Sequence, residues 1–288
     1  MENKIDSYAG SLVASLVSHM RRLLFRVLST GAIPNHIAFI LDGNRRYAKK
    51  RNLGEGMGHR AGFLALMSLM KYCYELGVKY VTIYAFSIDN FKRRPEEVQS
   101  IMDLMLEKIE GLLKEESIVN QYGVRVYFVG NLNLLNTPVR EAAEKAMKAT
   151  ENNNKSMLLI CVAYTSTDEI AHAAKEAIEE KWVQIQESSK ANGAQNGEIS
   201  QEKQEGHQTI KLADIERHLY MGVAPDPDIL VRTSGETRLS NFLLWQTSTC
   251  LLYSPKALWP EIGLRHLVWA VLNFQRIHPY LEKRRKQV

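Results

Sequence analysis

Apolar residues near the N-terminus recur at the three- and four-residue spacing of a helix. The apolar positions between residues 8 and 28 are Leu12, Val13, Leu16, Val17, Met20, Leu23, Leu24, Val27 and Leu28. Serines and the arginines Arg22 and Arg26 lie mostly on the opposite side. This pattern predicts an amphipathic helix. Its apolar face packs either on the chain's own core or on a membrane or partner surface, and the basic residues at its edge favour the second interpretation.

Beyond Pro34, short apolar runs alternate with longer helical patterns. The predicted strands are His36–Leu41, Tyr80–Phe86, Val124–Val129, Met157–Ala163, Ile229–Arg232 and Thr249–Tyr253. The predicted helices are His59–Leu76, Pro95–Ser117, Pro138–Asn152 and Thr167–Gln186. Near-continuous apolar strands that alternate with helices are typical of a mostly parallel sheet covered on both faces. The sequence therefore predicts an open α/β fold with a six-stranded, mostly parallel sheet.

One polar stretch interrupts this alternation. Residues 187–209 contain no aromatic residue and no large aliphatic residue except Ile199, which predicts a flexible insertion. The strands after it are too few for a second sheet. We therefore expect one domain over 34–281, preceded by the N-terminal helix of residues 1–33 and followed by a basic tail at 282–288.

Composition and charge narrow the class of protein. With 45% hydrophobic and 24% charged residues the chain is globular, and no apolar run reaches the roughly 18 residues of a membrane-spanning helix. The 37 lysines and arginines exceed the 32 acids, and residues 21–60 alone hold nine basic residues against two acids. That segment suits phosphate groups, nucleic acid or an anionic membrane surface, or it is simply a solvated face.

The three cysteines lie far apart in apolar surroundings. Cys73, Cys161 and Cys250 have no C-x-x-C spacing, so we expect buried, reduced thiols. An odd count without a secretory leader favours a cytosol-facing compartment.

A first polar motif, Asp42-Gly43-Asn44-Arg45-Arg46, directly follows the strand His36–Leu41. Parallel α/β sheets bind ligands at the carboxyl ends of strands, where the next helix offers free N–H groups. A carboxylate for Mg²⁺, a glycine for close approach and two arginines make a compact diphosphate site. The alternative is an ordinary turn in which Asp42 caps the helix and the arginines are solvated.

Two further motifs occupy the same position after other strands. Segment 87–95, SIDNFKRRP, combines a hydroxyl, an amide, a ring and guanidinium groups, and either orients a phosphorylated apolar substrate or caps the helix that begins at Pro95. Segment 232–241, RTSGETRLSN, offers a second anion pocket or a polar loop in which Glu236 pairs with Arg238. Three such loops at one sheet edge predict a crevice for two diphosphates.

The helices that flank this crevice are rich in leucine and methionine. These residues are either ordinary core or the wall of an apolar tunnel that begins at the diphosphate site. The positions in question are Leu64, Leu66, Met67, Leu69, Met70, Ile101, Met102, Leu104, Met105 and Leu106.

The segments HIAFILDGNRRYAKK, GHRAG, YAFSIDNFKR and RTSGETRLSNFLLWQ together resemble the cis-prenyltransferases, the undecaprenyl and dehydrodolichyl diphosphate synthase family. The resemblance covers roughly Pro34 to Leu281 and is closest to plant members, including rubber-latex enzymes. It implies an open sheet with a hydrophobic tunnel. It also implies successive addition of isopentenyl diphosphate to an allylic starter such as farnesyl diphosphate.

The resemblance also implies roles for individual residues. Asp42 would hold Mg²⁺ and help the allylic diphosphate to leave, while Asn44, Ser87 and Asn90 position the reacting groups. The residues implied for the allylic diphosphate and its surroundings are Gly43, Arg45, Arg46, His59, Phe91, Arg93 and Glu97. Those implied for isopentenyl diphosphate are Arg232, Arg238 and Ser240.

Three departures from the family pattern bear on partners. Glu55 replaces an arginine of bacterial and animal relatives, and Leu251 replaces a Mg²⁺-assisting glutamate of the bacterial enzymes. No Arg-x-Gly follows Trp269, a motif that single-subunit members contribute to the active site. We therefore expect a heteromeric enzyme with a Nogo-B-receptor-like prenyltransferase homologue as partner. The alternative is that the basic tail replaces the motif in a homodimer.

Two rival functions remain to be weighed. A catalytically weak scaffold subunit is the first, and the intact Asp-Gly-Asn segment favours catalysis over it. A nucleic-acid-binding protein is disfavoured, because the arginines cluster with Asp and small residues and no binding motif is present. We expect peripheral contact with the cytosolic face of the endoplasmic reticulum, or with lipid or rubber particles. Whether the product is of the dolichol or the rubber type stays open.

Overall fold

The computed structural model describes residues 2–54, 56–114, 117–192 and 209–287 of the chain. Six parallel strands form one sheet in the order β3-β4-β2-β1-β5-β6. This confirms the predicted open α/β fold, and every strand pair in the described residues is parallel. The strands are β1 His36–Ile40, β2 Tyr80–Ser87, β3 Val124–Val129, β4 Ser156–Tyr164, β5 Ile229–Arg232 and β6 Leu251–Tyr253.

Helices separate most of the strands along the chain. They are α1 Glu2–Leu28, α2 Asn44–Lys50, α3 Met57–Leu76, α4 Pro95–Leu112, α5 Ile118–Tyr122, α6 Thr137–Ala149, α7 Ser166–Asn192, α8 Leu212–Glu216 and α9 Leu264–Arg285, with a 3₁₀ turn at Ile88–Lys92.

Each face of the sheet has its own hydrophobic cluster. Side chains alternate between faces along a strand, so Ile37 and Phe39 of β1 join one cluster while Ala38 and Ile40 join the other. The first cluster includes residues of α1, α3–α6 and α9. Outside the strands, the second cluster consists of residues from the segments 220–224 and 239–250. Burial on both faces explains the near-continuous apolar strands.

The largest differences from the predicted helix boundaries are at the ends of α4 and α7. The expected helix Pro95–Ser117 ends at Leu112, and Ser117 instead caps the separate helix α5 by accepting a hydrogen bond from the Asn120 N–H. Serine at this position satisfies a free helical N–H and so begins a helix. Helix α7 extends to Asn192, six residues into the range predicted as a flexible insertion, and most of that insertion, 193–208, lies outside the described residues.

The N-terminal helix packs on the domain along one side only. Phe25 and Leu28 are buried, and Arg21 pairs with Glu75 at 2.7 Å and has a side chain only 14% exposed. Leu16, Val17, Met20, Leu23, Leu24 and Val27 remain exposed. No helix in the described part of the chain is both long and apolar enough to cross a membrane.

The C-terminal helix α9 ends at the sheet edge opposite the predicted site. Arg285 donates to Asp228 Oδ1 at 2.8 Å, and Asp228 Oδ2 accepts from the N–H groups of Asn35 and His36 where β1 begins. The predicted basic tail is thus helical up to Arg285, and Arg285 is engaged within its own subunit.

Candidate active site

The carboxyl ends of β1 and β5 lie level, because Ile40 pairs with Arg232, and β2, in which Tyr84 pairs with Ile40, continues along the same edge to Ser87. A cavity of about 760 Å³ opens where the following loops meet. Its polar lining includes Asp42, Asn44, Arg45, His59, Ser87, Asp89, Asn90, Arg93, Lys108, Arg232, Arg238, Ser240 and Asn241. The structure therefore brings all three polar motifs to one crevice.

The rest of the lining is apolar. Helices α3 and α4 contribute Leu66, Met67, Ile101, Leu104, Met105, Ile109 and Leu112, and the sheet contributes Ile83, Phe86, Phe128, Leu158 and Ile160. The residues of α3 and α4 that face the cavity thus form the apolar wall that the tunnel interpretation predicted. Core packing is the role of Leu69, Met70 and Met102, which are buried in the first cluster, while Leu64 is exposed.

The backbone of Asp42 is fixed by three donors. Its carbonyl oxygen accepts from the hydroxyls of Thr233 and Ser234 at 2.5 and 2.7 Å and from the Trp259 N–H at 2.9 Å. The donors come from the segment after β5 and from the loop before α9, far from Asp42 in sequence. Tertiary contacts thus hold the end of β1.

The carboxylate of Asp42 joins two arginines. Oδ1 accepts from Arg46 at 3.1 Å and Oδ2 accepts from Arg232 at 2.9 Å. Partial burial alone would raise the pKa of Asp42, but these hydrogen bonds and charges outweigh it, so the pKa lies below its ordinary value. Asp42 does not cap α2, since the N-cap is Gly43 at φ 123° without a side-chain bond. The ordinary-turn interpretation is therefore wrong for Asp42.

Two glycines permit close packing beneath the site. A Cβ on Gly62 would lie 2.3 Å from Asn44 Oδ1 and 2.7 Å from Trp259 Nε1, and one on Gly43 would lie 2.7 Å from Ser234 Oγ. Asn44 Oδ1 is buried and has no hydrogen-bond partner among the described residues. An unpaired buried acceptor costs about 1–3 kcal/mol of stability.

In the loop after β2, two side chains cap the 3₁₀ turn Ile88–Lys92 and not the helix that begins at Pro95, whose N-cap Arg94 makes no side-chain capping bond. Ser87 Oγ accepts from the Asp89 N–H, and Asn90 Oδ1 accepts from the Ser87 N–H at 3.1 Å. Both side chains still border the cavity. Phe91 packs edge-on against Phe86 and belongs to the core side of this loop.

Glu97 lies beside the cavity and joins two of its arginines. It pairs with Arg93 at 2.8 Å and approaches Arg45 at 3.6 Å. Half-buried His59 lies near both arginines. Burial, followed by the charges of Arg93 and Arg45, lowers the pKa of His59, so its imidazole is neutral at neutral pH.

The loop after β5 is organised around buried Arg232. Its guanidinium donates to the Arg238 carbonyl and to Ser240 Oγ, both at 2.5 Å. Arg238 itself pairs with Glu236, as the polar-loop alternative predicted. Ser240, Asn241 and Leu243 have φ of 50°, 56° and 48°, and non-glycine residues held in such conformations cost of order 1–3 kcal/mol each.

Some predicted residues lie outside the cavity lining, and some important ones were missed. Gly43, Arg46, Phe91 and Glu97 support neighbouring groups. Leu251 pairs with Ile229 at the beginning of β5, away from the cavity, and Glu55 lies outside the described residues. Sequence reasoning gave no role to Trp259, and Gly62 appeared only within the GHRAG segment. No local sequence pattern identifies a tryptophan that supports the site only through its packing in the folded chain.

The fold and the cavity define a class of α/β proteins whose site suits a molecule with an anionic head and an apolar tail. A family model described as "Putative undecaprenyl diphosphate synthase" matches residues 40–281. The chain is 59% identical to dehydrodolichyl diphosphate synthase CPT3 of Solanum lycopersicum over all of both chains. It is 58% identical to rubber cis-polyprenyltransferase HRT2 of Hevea brasiliensis over 96% of both chains.

More distant relatives agree with these. The human protein named dehydrodolichyl diphosphate synthase complex subunit DHDDS is 41% identical over 93% of this chain and 75% of the human one. The crystal structure of lavandulyl diphosphate synthase from Lavandula x intermedia with dimethylallyl diphosphate superposes with a TM-score of 0.71 and 27% identity, covering 84% of this chain and 95% of that one. The chain belongs to the undecaprenyl diphosphate synthase family, the cis-prenyltransferases, and is a prenyl transferase.

We expect Gly62→Ala to lower prenyl transfer about 100-fold, because the new methyl group displaces Asn44 and Trp259 beneath the site and small misplacements are costly in catalysis. Gly111→Ala is the matched control, since Gly111 is also helical and a Cβ there meets nothing within 4 Å. Steady-state turnover and thermal unfolding of both variants measure the effect. Equal turnover of the two variants would contradict the prediction.

Proposed function

We propose that the chain adds isopentenyl diphosphate units in cis to an allylic diphosphate starter, of which farnesyl diphosphate is the expected example. The product is a long-chain polyprenyl diphosphate of the dehydrodolichyl or rubber type. The observation that carries the proposal is the single cavity in which arginines from three strand ends meet an apolar wall of α3, α4 and the sheet.

The two diphosphates are assigned to different sides of Asp42. The allylic diphosphate lies with Gly43, Arg45, Arg46 and neutral His59, where α2 begins. Isopentenyl diphosphate lies with the Arg232, Arg238 and Ser240 side. Arginine suits both places, because its planar fork contacts phosphate oxygens bidentately.

The residues around Asp42 fit Mg²⁺. Within the described ranges no three His, Cys, Asp or Glu side chains form a metal cluster. Mg²⁺ is commonly held by one or two carboxylates together with substrate phosphates. The carboxylate of Asp42, which borders the cavity, would be such a ligand. When bound, the ion would neutralise charge on the departing diphosphate.

The chain's own residues supply the remaining steps. Fixed donors around the allylic diphosphate stabilise the negative charge that develops as its carbon–oxygen bond breaks, and they need no reorganisation. The new carbon–carbon bond forms to the double bond of isopentenyl diphosphate. A C2 proton then leaves to give the cis double bond. Asn44, Ser87 and Asn90 position the reacting groups, and a diphosphate or an active-site polar group accepts the proton.

A catalytically weak scaffold subunit is the second candidate function. Its support would be the complex subunit named among the relatives. Against it stands the intact Asp42 carboxylate, which borders the same cavity as the arginines of three strand ends.

Asp42→Ala is expected to lose about 100-fold or more of the condensation activity while the protein stays folded, because one charged transition-state contact is removed. The control is Asp103→Ala, an exposed carboxylate on α4. Incorporation of radiolabelled isopentenyl diphosphate gives the rate, and circular dichroism checks the fold. Chelation should also stop turnover, and added Mg²⁺ should restore it. A folded Asp42→Ala protein with a tenth of wild-type activity would disprove the assignment.

We further propose that the chain works with a Nogo-B-receptor-like partner subunit. One human relative is named as a complex subunit. The edge strand β6 leaves Leu252 51% exposed, and the loop that leads towards it leaves Leu244 47% exposed. An exposed apolar sheet edge suits a second chain.

The purified chain alone is expected to be weakly active and to gain at least about tenfold with the partner subunit, because the partner adds charge-assisted donors at the diphosphates. Leu252→Lys should abolish this gain, whereas Leu134→Lys, an exposed leucine far from β6 in sequence, should not. Chain-length analysis of the products measures both. Robust long-chain synthesis by the lone chain made in bacteria would overturn the heteromer proposal.

The exposed face of α1 is proposed as a peripheral membrane contact on the cytosolic face of the endoplasmic reticulum, or on lipid or rubber particles. Six apolar side chains face outward while Phe25 and Leu28 anchor the helix to the domain. Exposed Arg22 and Arg26 suit anionic headgroups.

We expect the protein to sediment with vesicles that contain anionic lipid. Met20→Glu combined with Val27→Glu should release it, because two charges would enter the interface. Leu134→Glu, an exposed apolar site outside α1, serves as the control. If the double variant sediments as well as the wild type, α1 is not the contact.

A further inference from the structure

Glu169 is a buried carboxylate near the beginning of α7, outside the cavity lining. Its side chain is fully inaccessible to solvent. Oε1 accepts from the Met221 N–H at 2.9 Å, and Oε2 accepts from the Tyr164 hydroxyl at 2.5 Å and from the Gln246 amide at 3.1 Å. A buried carboxylate is costly unless its hydrogen bonds are made. Glu169 makes three, and one of them reaches the segment that follows Ser240.

That segment, residues 239–246, is conformationally demanding. Ser240, Asn241 and Leu243 all have positive φ. Non-glycine residues keep such conformations only where the surroundings impose them. The stacking of Phe242 on Tyr84, with ring centroids 4.4 Å apart, supplies an apolar support on the sheet side.

Polar support for the segment comes from the beginning of α7. The Ser166 N–H donates to the Asn241 carbonyl at 2.8 Å, and the Leu244 N–H donates to Ser166 Oγ at 2.9 Å. Asn241 Oδ1 accepts from the Thr167 N–H at 3.1 Å. We call Ser166, Thr167 and Glu169 the α7 clamp.

Segment 239–246 contributes Ser240 to the pocket proposed for isopentenyl diphosphate, which also contains Arg232 and Arg238. Arg232 donates both to Ser240 Oγ and to the Arg238 carbonyl, so the position of this segment sets the direction of the guanidinium. We propose that Glu169 is a positioning residue that acts through Gln246 and segment 239–246 to shape the pocket around Arg232 and Ser240. The inference rests on the proposed function for the identity of the bound anion as isopentenyl diphosphate.

Glu169→Gln tests the proposal with little change of size. The new amide N–H₂ takes the place of Oε2, so the Gln246 amide N–H₂ loses its acceptor, while the Tyr164 hydroxyl can accept from the new N–H₂ instead. We expect the KM for isopentenyl diphosphate to rise about tenfold and the KM for the allylic substrate to change less than about twofold, as loss of one such bond predicts. Glu179→Gln, an exposed change on the same helix, should alter neither constant.

Asn241→Ala is the second variant, because the burial of Glu169 makes its substitution a risk to folding. Asn241 makes its side-chain bonds at the exposed end of the clamp. The same selective rise in the KM for isopentenyl diphosphate is expected. Both variants are assayed under the conditions in which the wild-type protein is active. If the lone wild-type chain is inactive, the partner subunit is added to every assay.

Hydrogen–deuterium exchange of the free full-length protein supplies a readout that does not depend on turnover. We expect faster exchange of peptides that cover 238–246 in both variants and unchanged exchange over 42–50. Wild-type protein without turnover would refute the proposed function but leave this exchange test intact. Equal rises in both KM values, or unchanged exchange over 238–246, would overturn the role of Glu169.

Discussion

The hold on the backbone carbonyl of Asp42 is the interaction on which the site depends. Two hydroxyls after β5 and one N–H before α9 converge on that oxygen. They tie the end of β1 to the end of β5 and leave the carboxylate free to meet Arg46 and Arg232. All three donors bind one backbone oxygen and therefore fix the backbone of Asp42. The direction of its side chain thus depends on residues that are distant in sequence. The buried ring of Trp259 and the absence of a side chain on Gly62 complete that packing.

The parallel sheet gives the site its two-part character. Strands that all point the same way bring their loops to one edge, where unpaired N–H groups and arginines collect. The same strands are buried on both faces, so the space between the sheet and helices α3 and α4 is apolar. A polar head region and an apolar wall therefore meet where strands end. This is the arrangement that a prenyl diphosphate needs.

Strain and burial both concentrate on the loop after β5. Three residues with positive φ follow Arg238, and the buried carboxylate of Glu169 reaches the same loop through Gln246. Each feature lowers stability by itself. Together they are consistent with a loop whose geometry matters more than its contribution to folding. The far edge of the sheet is built differently, with Arg285 and Asp228 closing the beginning of β1 through ordinary hydrogen bonds.

The sequence by itself determined the strands, the parallel sheet and the three polar loops, because apolar runs, helical spacing and strand-end position are local properties of a chain. It also marked Asp42, Arg232 and Ser240 as belonging near one crevice. Only the tertiary structure decided that Arg232 pairs with Asp42, 190 positions away.

It likewise decided that Ser87 and Asn90 cap their own turn, that Arg21 pairs with Glu75, and that the helix from Pro95 ends at Leu112. The supporting roles of Gly62, Trp259 and Glu169 left no usable pattern in the chain. Such roles depend on which distant atoms come within a few ångströms. Periodicity tells which face of an element is buried, but only packing tells what that face meets.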